Sequence, residues 1–292
     1  MTDYLVKGLA YDSQFRVYAV DATQTVAEAQ RRHDTWSASS AALGRAMVGT
    51  LLIATTGLKN DDKMTVMING NGLGGRIVAG ANGQGDVRAY IQNPNVSLPL
   101  NENGKLDVRA VVGTEGTLSV IKDLGLKEPF TGQVPLVSGE LGEDFTYYMV
   151  NSEQIPSAVG LSVLVDTDDS IKVAGGFMIQ VLPGATDAAI SQIEKNIADL
   201  PLVSRFMEDG AKPEDVLIKI LGKDNVRFIE KMPVQFKCDC SRERFKDGLA
   251  AIGREELQTI IEEDHGAEVV CHFCENKYYY DEAELTELLA KI

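Results

Sequence analysis

Four cysteines carry the chemistry of this chain: Cys238 and Cys240 form a C-x-C pair, Cys271 and Cys274 a C-x-x-C pair, and no other cysteine occurs in its 292 residues. Two close pairs a short domain-length apart can bring four thiolates around one tetrahedral zinc ion, with Zn–S bonds near ~2.3 Å. The same pairs can also close two local disulfides. A site able to do either can register oxidants, because metal-bound thiols are already thiolates, the form that oxidants attack.

With four thiols and none to spare, the metal site would be closed, leaving no open position for a reacting water. Hydrolytic zinc chemistry is therefore disfavoured, and no catalytic residue is expected. His272, inside the knuckle, could replace a cysteine, but with all four thiols available it is expected to point outward. Lys237, Arg242, Arg244 and Lys277 flank the cysteines and could moderate the negative charge of the site, or serve simply as solvated surface. The plain reading is a structural zinc fold. Its size makes the metal decisive: some sixty residues with few large apolar side chains bury little surface and depend on a staple. Disulfides within each pair would close very short loops, removing little unfolded-state entropy and not restoring the metal-held fold.

The elements around the thiols are well punctuated. Ser241 is placed to cap a helix carrying Phe245, Leu249 and Ile252 and ending at Gly253; a second helix runs over Glu255–Asp264 and stops at Gly266. Val269 and Val270 lead into the Cys271–Cys274 turn and then Tyr278–Tyr280. Asp281 and Glu284 form a capping pair for a last helix with Leu285, Leu288 and Leu289 inward. Upstream, strand-like Tyr4–Leu9 and Phe15–Asp21 precede one long helical pattern from Thr25 to about Leu58, in which Arg45 must find a polar partner or the surface. From Lys63 to Gln92 the period becomes two, with Gly-Asn-Gly and Asn-Gly-Gln-Gly turns, as in a β-meander. Gly70, Gly72 and Gly75 satisfy G-x-G-x-x-G, but a strand follows instead of the helix a dinucleotide site requires, so they read as hairpin glycines and no such cofactor is expected. Further strands are expected at 116–122, 131–136, 161–166 and 172–182. Pro183-Gly184 marks a boundary, after which residues 185–232 read as charged, amphipathic helices, with Thr186 or Asp187 as the first cap and Pro213, Glu214 and Asp215 opening another. Their apolar faces need a partner surface, most simply the preceding domain.

The chain is thus expected to be α+β: an N-terminal mixed α/β core domain over residues 1–183, a helical linker over 184–232 and a small C-terminal four-cysteine zinc-binding domain over 233–292. The start lacks the basic and apolar regions of a secretory signal, and the apolar stretch Ala46–Leu58 is too short to span a bilayer, so a cytoplasmic protein without membrane partners is expected. Clustered thiols in a reducing compartment more often bind metal or do redox work than build a disulfide framework. Net charge is −15, and from Pro233 onward seven Lys/Arg stand against fourteen Asp/Glu. Zinc modules that hold nucleic acid use basic faces to neutralise phosphates, so acidity counts against that role.

Cys238-Asp-Cys240-Ser-Arg-Glu-Arg244 followed by Cys271-His-Phe-Cys274 resembles the redox-switch zinc centre of the 33 kDa heat-shock protein family, the redox-regulated holdase chaperones. The likeness extends to His33 and the Ala41–Arg45 segment, to Gly125–Pro135, to Ser152–Pro156 and to Ala174–Pro183, in the family's order over essentially the full length. The resemblance implies a reduced form that holds one zinc per chain on Cys238, Cys240, Cys271 and Cys274 and is largely inactive. It implies that oxidation joins Cys238 to Cys240 and Cys271 to Cys274, releases zinc, unfolds the C-terminal region and destabilises the connector. The exposed apolar surface then holds unfolded or oxidatively damaged client proteins without ATP, with a homodimer favouring activity; the core domain binds clients and dimerises. Two other readings compete: a zinc-containing nucleic-acid- or ribosome-associated protein, and a thiol-disulfide oxidoreductase using Cys271 and Cys274, for which a following helix, not a tyrosine strand, would be the usual setting.

Overall fold

Strands buried on both faces read as nearly continuous apolar runs, and the start of the chain does so. β1 (Tyr4–Ala10) and β2 (Phe15–Asp21) pair antiparallel; Leu5, Tyr18 and Val20 face one apolar cluster, while Val6, Phe15, Val17 and Ala19 face another. The computed structural model describes residues 2–59, 61–102 and 104–292, which divide into one compact unit through Lys237 and a second over Cys238–Ile292.

The single helix expected from Thr25 to Leu58 is two: α1 (Thr23–His33) and α2 (Ser37–Gly57). Asp34 takes a left-handed conformation and its amide closes on the Gln30 carbonyl, while the Thr35 and Ser40 hydroxyls bond each other at 2.6 Å across the break. The composition is continuous through this point, so the periodicity alone hides it. α2 is long and apolar enough to cross a membrane, yet 94% of its apolar window is buried inside the fold. Its small residues permit that burial: a Cβ on Gly49 would lie 2.3 Å from the Phe145 ring. Arg45 finds its polar partner in Glu140, bonding the carbonyl oxygen at 3.1 Å and the carboxylate at 2.6 Å.

The meander forms as expected: β3 (Lys63–Asn71), β4 (Ile77–Asn82) and β5 (Asp86–Ile91) are antiparallel neighbours. β4 follows the glycine run, and a Cβ on Gly72 would sit 2.4 Å from the Val111 carbonyl, so that glycine serves close backbone packing. Then come α3 (Val108–Val112), β6 (Gly113–Asp123), β7 (Phe130–Pro135), α4 (Gly142–Asn151), β8 (Ser157–Val165) and β9 (Ile171–Val181). α2 packs against strands of the meander and against β8 and β9, and the largest cluster of buried side chains surrounds it.

Residues 184–232 are not uniformly helical. α5 (Asp187–Ala198), capped by Thr186, and α7 (Pro213–Leu221), opened by its proline, match the expected helices, and a short α6 (Val203–Glu208) lies between them. The stretch after them is a strand, β10 (Val226–Pro233), paired antiparallel with β1 through a bulge, and β11 (Gln235–Phe236) pairs parallel with β5. β10 is exposed along most of its length, so it carries no apolar alternation to mark it. The strand orders are β10-β1-β2-β9-β8 and β11-β5-β4-β3-β6-β7. The apolar faces of the three helices do find the preceding domain: Ile193, Val203, Met207, Val216, Leu217, Ile220 and Leu221 form one buried cluster with Val6, Phe15, Val17, Val173, Phe177 and Ile179 of the first sheet. Instead of standing apart as a connector, this segment packs as a layer within the unit that runs to Lys237.

The second unit contains α8 (Arg242–Ala251), α9 (Arg254–Asp264), an antiparallel hairpin of β12 (Gly266–Val270) and β13 (Lys277–Asp281), and α10 (Glu282–Leu289). Ser241 caps α8 and Asp281 caps α10 reciprocally with Glu284, as their sequence signatures require. The left-handed residue that ends α9 is His265, one position before the expected Gly266. The unit's buried apolar cluster is Leu257, Tyr280, Leu285 and Leu288, beside the buried Cys271 and Cys274.

Candidate metal centre

Each cysteine sits where a local element ends. Cys240 immediately precedes the cap of α8, so the turn into that helix orients it, and Cys238 lies two residues earlier on the incoming strand-like segment. Cys271 and Cys274 belong to the turn closing the β12–β13 hairpin. The Cys271 amide bonds the Asn276 carbonyl at 2.9 Å, the Cys271 carbonyl accepts from Cys274 and Glu275, and Glu275 takes a positive φ of 58°. This is the knuckle expected from C-x-x-C before a tyrosine strand.

The four sulfurs lie within 4.8 Å of one another. Cys238 Sγ is 3.7 Å from Cys271 Sγ, and Cys240 Sγ is 3.4 Å from Cys274 Sγ. A tetrahedron with ~2.3 Å metal–sulfur bonds has edges of ~3.8 Å, so the observed separations fit a single ion held by all four. They are far from the ~2.05 Å of a disulfide, and all four cysteines are free thiols. The donor set is therefore one that could hold a metal ion. Cys271 and Cys274 are buried, Cys238 and Cys240 half-buried, and His272 is exposed, pointing outward.

Electrostatics divide the thiols. Burial pushes Cys238 up to about 11 and also raises Cys274. Cys240 moves the other way: burial opposes its ionisation, but hydrogen bonds from the Tyr278 hydroxyl and the neighbouring thiols hold it below the ordinary thiol value. Tyr278, 3.2 Å from the Cys240 sulfur, rises to about 12 because it donates to that sulfur. A metal ion binds thiolates, so uptake here must displace protons.

Tyr278 is the site residue that sequence reasoning passed over; its place four residues beyond Cys274 on a strand leaving the knuckle was the available signal. It also packs its ring against Phe245, centroids 5.2 Å apart, coupling α8 to the hairpin. The flanking cations do not serve the sulfurs. Arg242 holds the Glu284 carboxylate at 2.6 and 2.7 Å and stacks over Tyr280, Arg244 pairs with Asp239 at 3.1 Å, and Lys277 pairs with Glu268 at 2.9 Å. Lys237, in the first unit, pairs with Asp86. Of the two readings open from sequence, the surface one fits: these cations form ion pairs with carboxylates and do not temper the sulfurs.

An α+β chain whose C-terminal unit gathers four thiols at metal-binding distance defines a class of proteins built around a small cysteine-held tail. Comparison with known proteins gives the family: residues 3–281 match the Hsp33 protein family model, and the chain belongs to that family. It is 60% identical over 288 residues to the 33 kDa chaperonin of Enterococcus faecalis, covering 99% of this chain and 96% of that one. It is likewise 60% identical over 291 residues to the 33 kDa chaperonin of Lactiplantibacillus plantarum, covering 100% and 98%. The crystal structure of the 33 kDa chaperonin (heat shock protein 33 homolog) from Thermotoga maritima matches with a TM-score of 0.92 at 41% identity, over 100% of this chain and 99% of that one. The family and the relatives' names support a chaperone function and are not names of enzymes.

Proposed function

We propose that this protein is an ATP-independent holdase whose C-terminal unit is a redox switch. The observation that carries the reading is the gathering of four thiols within 4.8 Å in a unit whose buried apolar cluster has only four side chains besides the cysteines. Cys238, Cys240, Cys271 and Cys274 would hold one zinc per chain, which would keep their sulfurs together as thiolates. Apparent zinc binding of ~10–16 kcal/mol in small modules matches or exceeds the ~5–15 kcal/mol net stability of a whole domain, so a tail this poor in core is folded only while clamped.

Peroxide removes the clamp's donors. Two thiolates of a pair give up two electrons to one hydrogen peroxide; an S–S bond forms, the O–O bond breaks, and two protons taken from solvent complete two waters. The expected pairs, Cys238–Cys240 and Cys271–Cys274, close loops too short to hold the unit in shape. The chain continues directly from Cys238 back through β11 and β10 to the helical layer α5–α7, so loss of the tail frees that end of the body. Apolar surface of the first sheet that the layer covers, including Val17, Phe177 and Ile179, then becomes available to unfolding clients. In this reading residues 1–183 bind clients and dimerise, 184–232 are the element that yields and 233–292 the switch; the setting is the cytoplasm, and the active form is a homodimer.

The test measures zinc content and free thiols before and after peroxide, alongside suppression of client aggregation. One zinc and four thiols per chain should be lost together as holding activity rises. A variant with serine at positions 238, 240, 271 and 274 that holds clients no better than the reduced wild type, and whose tail stays protease-resistant without metal, would overturn the switch.

A further inference from the structure

Edge strands are normally protected by charge, proline, bulges or brevity, because their unpaired amides and carbonyls can pair with any extended chain. The two edges of the five-stranded sheet differ in this respect. β10 carries Arg227, Glu230 and Lys231 and a bulge against β1. β8, Ser-Ala-Val-Gly-Leu-Ser-Val-Leu-Val, is nine residues long with no charge and no proline.

Which backbone groups of β8 face outward follows from its register. The Val181 amide bonds the Pro156 carbonyl, and the pairing continues in step from Ser157↔Gln180 to Leu164↔Val173. Even-numbered residues of β8 therefore exchange bonds with β9, and the amides and carbonyls of Val159, Leu161, Val163 and Val165 face away. Val159 obeys this parity, its amide bonding the Thr146 hydroxyl at 3.0 Å. Beyond the end of α4, among the described residues, the outward groups of Leu161, Val163 and Val165 have no hydrogen-bond partner.

These groups open into a cleft of about 840 Å³ along the strand. Its walls carry Trp36, Leu100 and Leu202, exposed at 43%, 60% and 45%. Arg45, Glu140 and Arg205 also line it. Outward amides recur at every second residue, roughly 6.6–6.8 Å apart at a strand rise of ~3.3–3.4 Å; an extended backbone meets that spacing and a small rigid ligand does not. The walls mix apolar side chains with Ser37, Lys105, Glu143 and Asp166, so side chains of either kind find neighbours there.

We propose that the outer edge of β8 is a docking strand for an extended segment of an unfolded polypeptide, which adds to the sheet by backbone pairing. The inference deepens the holding function proposed above and rests on it for its biological meaning. Backbone pairing explains how one surface accepts many sequences, since the groups it reads are common to all of them.

The experiment uses the full-length protein, reduced and oxidised, and a short labelled peptide of alternating valine and threonine flanked by lysines. A second peptide of identical sequence is N-methylated at alternate residues, so that it cannot pair on one edge. Hydrogen exchange at Leu161, Val163 and Val165 is expected to slow at least about tenfold with the first peptide, and the methylated peptide to bind at least about tenfold more weakly. Binding that ignores methylation and leaves the β8 amides unprotected overturns the inference. So does protection of the same amides that rises with protein concentration in the absence of peptide, because the edge is then a contact between two copies of the chain. A parallel aggregation assay separates the two readings: an oxidised protein that suppresses aggregation with β8 unprotected sinks the docking strand alone. An oxidised protein that suppresses none sinks the holdase, while the peptide arms still decide whether the edge binds extended chain.

Discussion

If the helical layer over the first sheet is what keeps apolar surface from clients, loosening it should make oxidation unnecessary. Ile220 of α7 is the place to test this: its side chain is 0% exposed, and its cluster includes Leu217, Val216 and Phe177 from both sides of the contact. Truncation to alanine removes three carbons from a closed site and costs ~2–5 kcal/mol, whereas Ile220→Val costs ~0.5–1.5 kcal/mol. At about 1.4 kcal/mol per tenfold, local opening of α7 should rise by ~30-fold to ~4,000-fold in the first variant and by about tenfold or less in the second. The assay pairs hydrogen exchange of the α7 amides with suppression of aggregation of a heat-unfolding client, using reduced, metal-loaded protein. Holding activity should follow the exchange rate, Ile220→Ala above Ile220→Val above wild type. Variants in which α7 opens as calculated while the reduced protein still holds no client would refute the idea that this layer is the cover, and the milder valine variant keeps the test open if alanine unfolds the body.

Three further outcomes follow from particular contacts. Because Cys238 and Cys274 lie above the ordinary thiol range, zinc uptake near neutral pH should release at least two protons per chain. Apparent affinity should then fall at least about 100-fold per unit of acidification, measurable by zinc titration in weak buffer with a pH indicator. Glu28 is drawn down to about 2, chiefly by its hydrogen bond from Arg31 and then, against some burial, by Arg32. Its contribution is therefore present above the unfolded carboxyl pKa near 4.5 and disappears as pH falls through about 2. Since Glu28 is half-buried and Arg31 is exposed, Glu28→Gln should cost no more than ~1 kcal/mol at pH 7 in denaturant melts, with the difference from wild type shrinking steadily below pH 4.5. Gly49→Leu drives a side chain into the Phe145 ring, which already lies 2.3 Å from where a Cβ would be. A loss of ~3 kcal/mol or more is expected, and an unchanged melting temperature would mean that α2 does not pack there.

The tail was the most legible part of the chain because its signals are local. Ser241, the Asp281/Glu284 pair and the C-x-x-C turn each act within a few residues, and they form the cap, the reciprocal cap and the knuckle. What escaped were features decided by distant partners. Asp34 ends α1 in a left-handed turn inside an unbroken run of helix-compatible residues, and the break is fixed partly by Trp36, whose amide bonds the Pro94 carbonyl. β10 is a strand only because β1 offers it an edge; its exposed Arg227–Lys231 stretch has no alternation to announce it. The cations beside the cysteines could be assigned to the sulfurs from sequence alone, because Glu284 and Glu268, their actual partners, come near only through the fold.

The distribution of sulfur has one more consequence. No cysteine precedes Cys238, and of the eight methionines, Met47, Met64, Met149, Met178, Met207 and Met232 are buried in the body. Bleach-like or peroxide damage that would cripple an ordinary helper protein thus finds little to attack in this platform. Under the proposed switch, sacrificial and reversible chemistry would be confined to one end of the chain, and the insult that raises demand for the protein would leave the body intact.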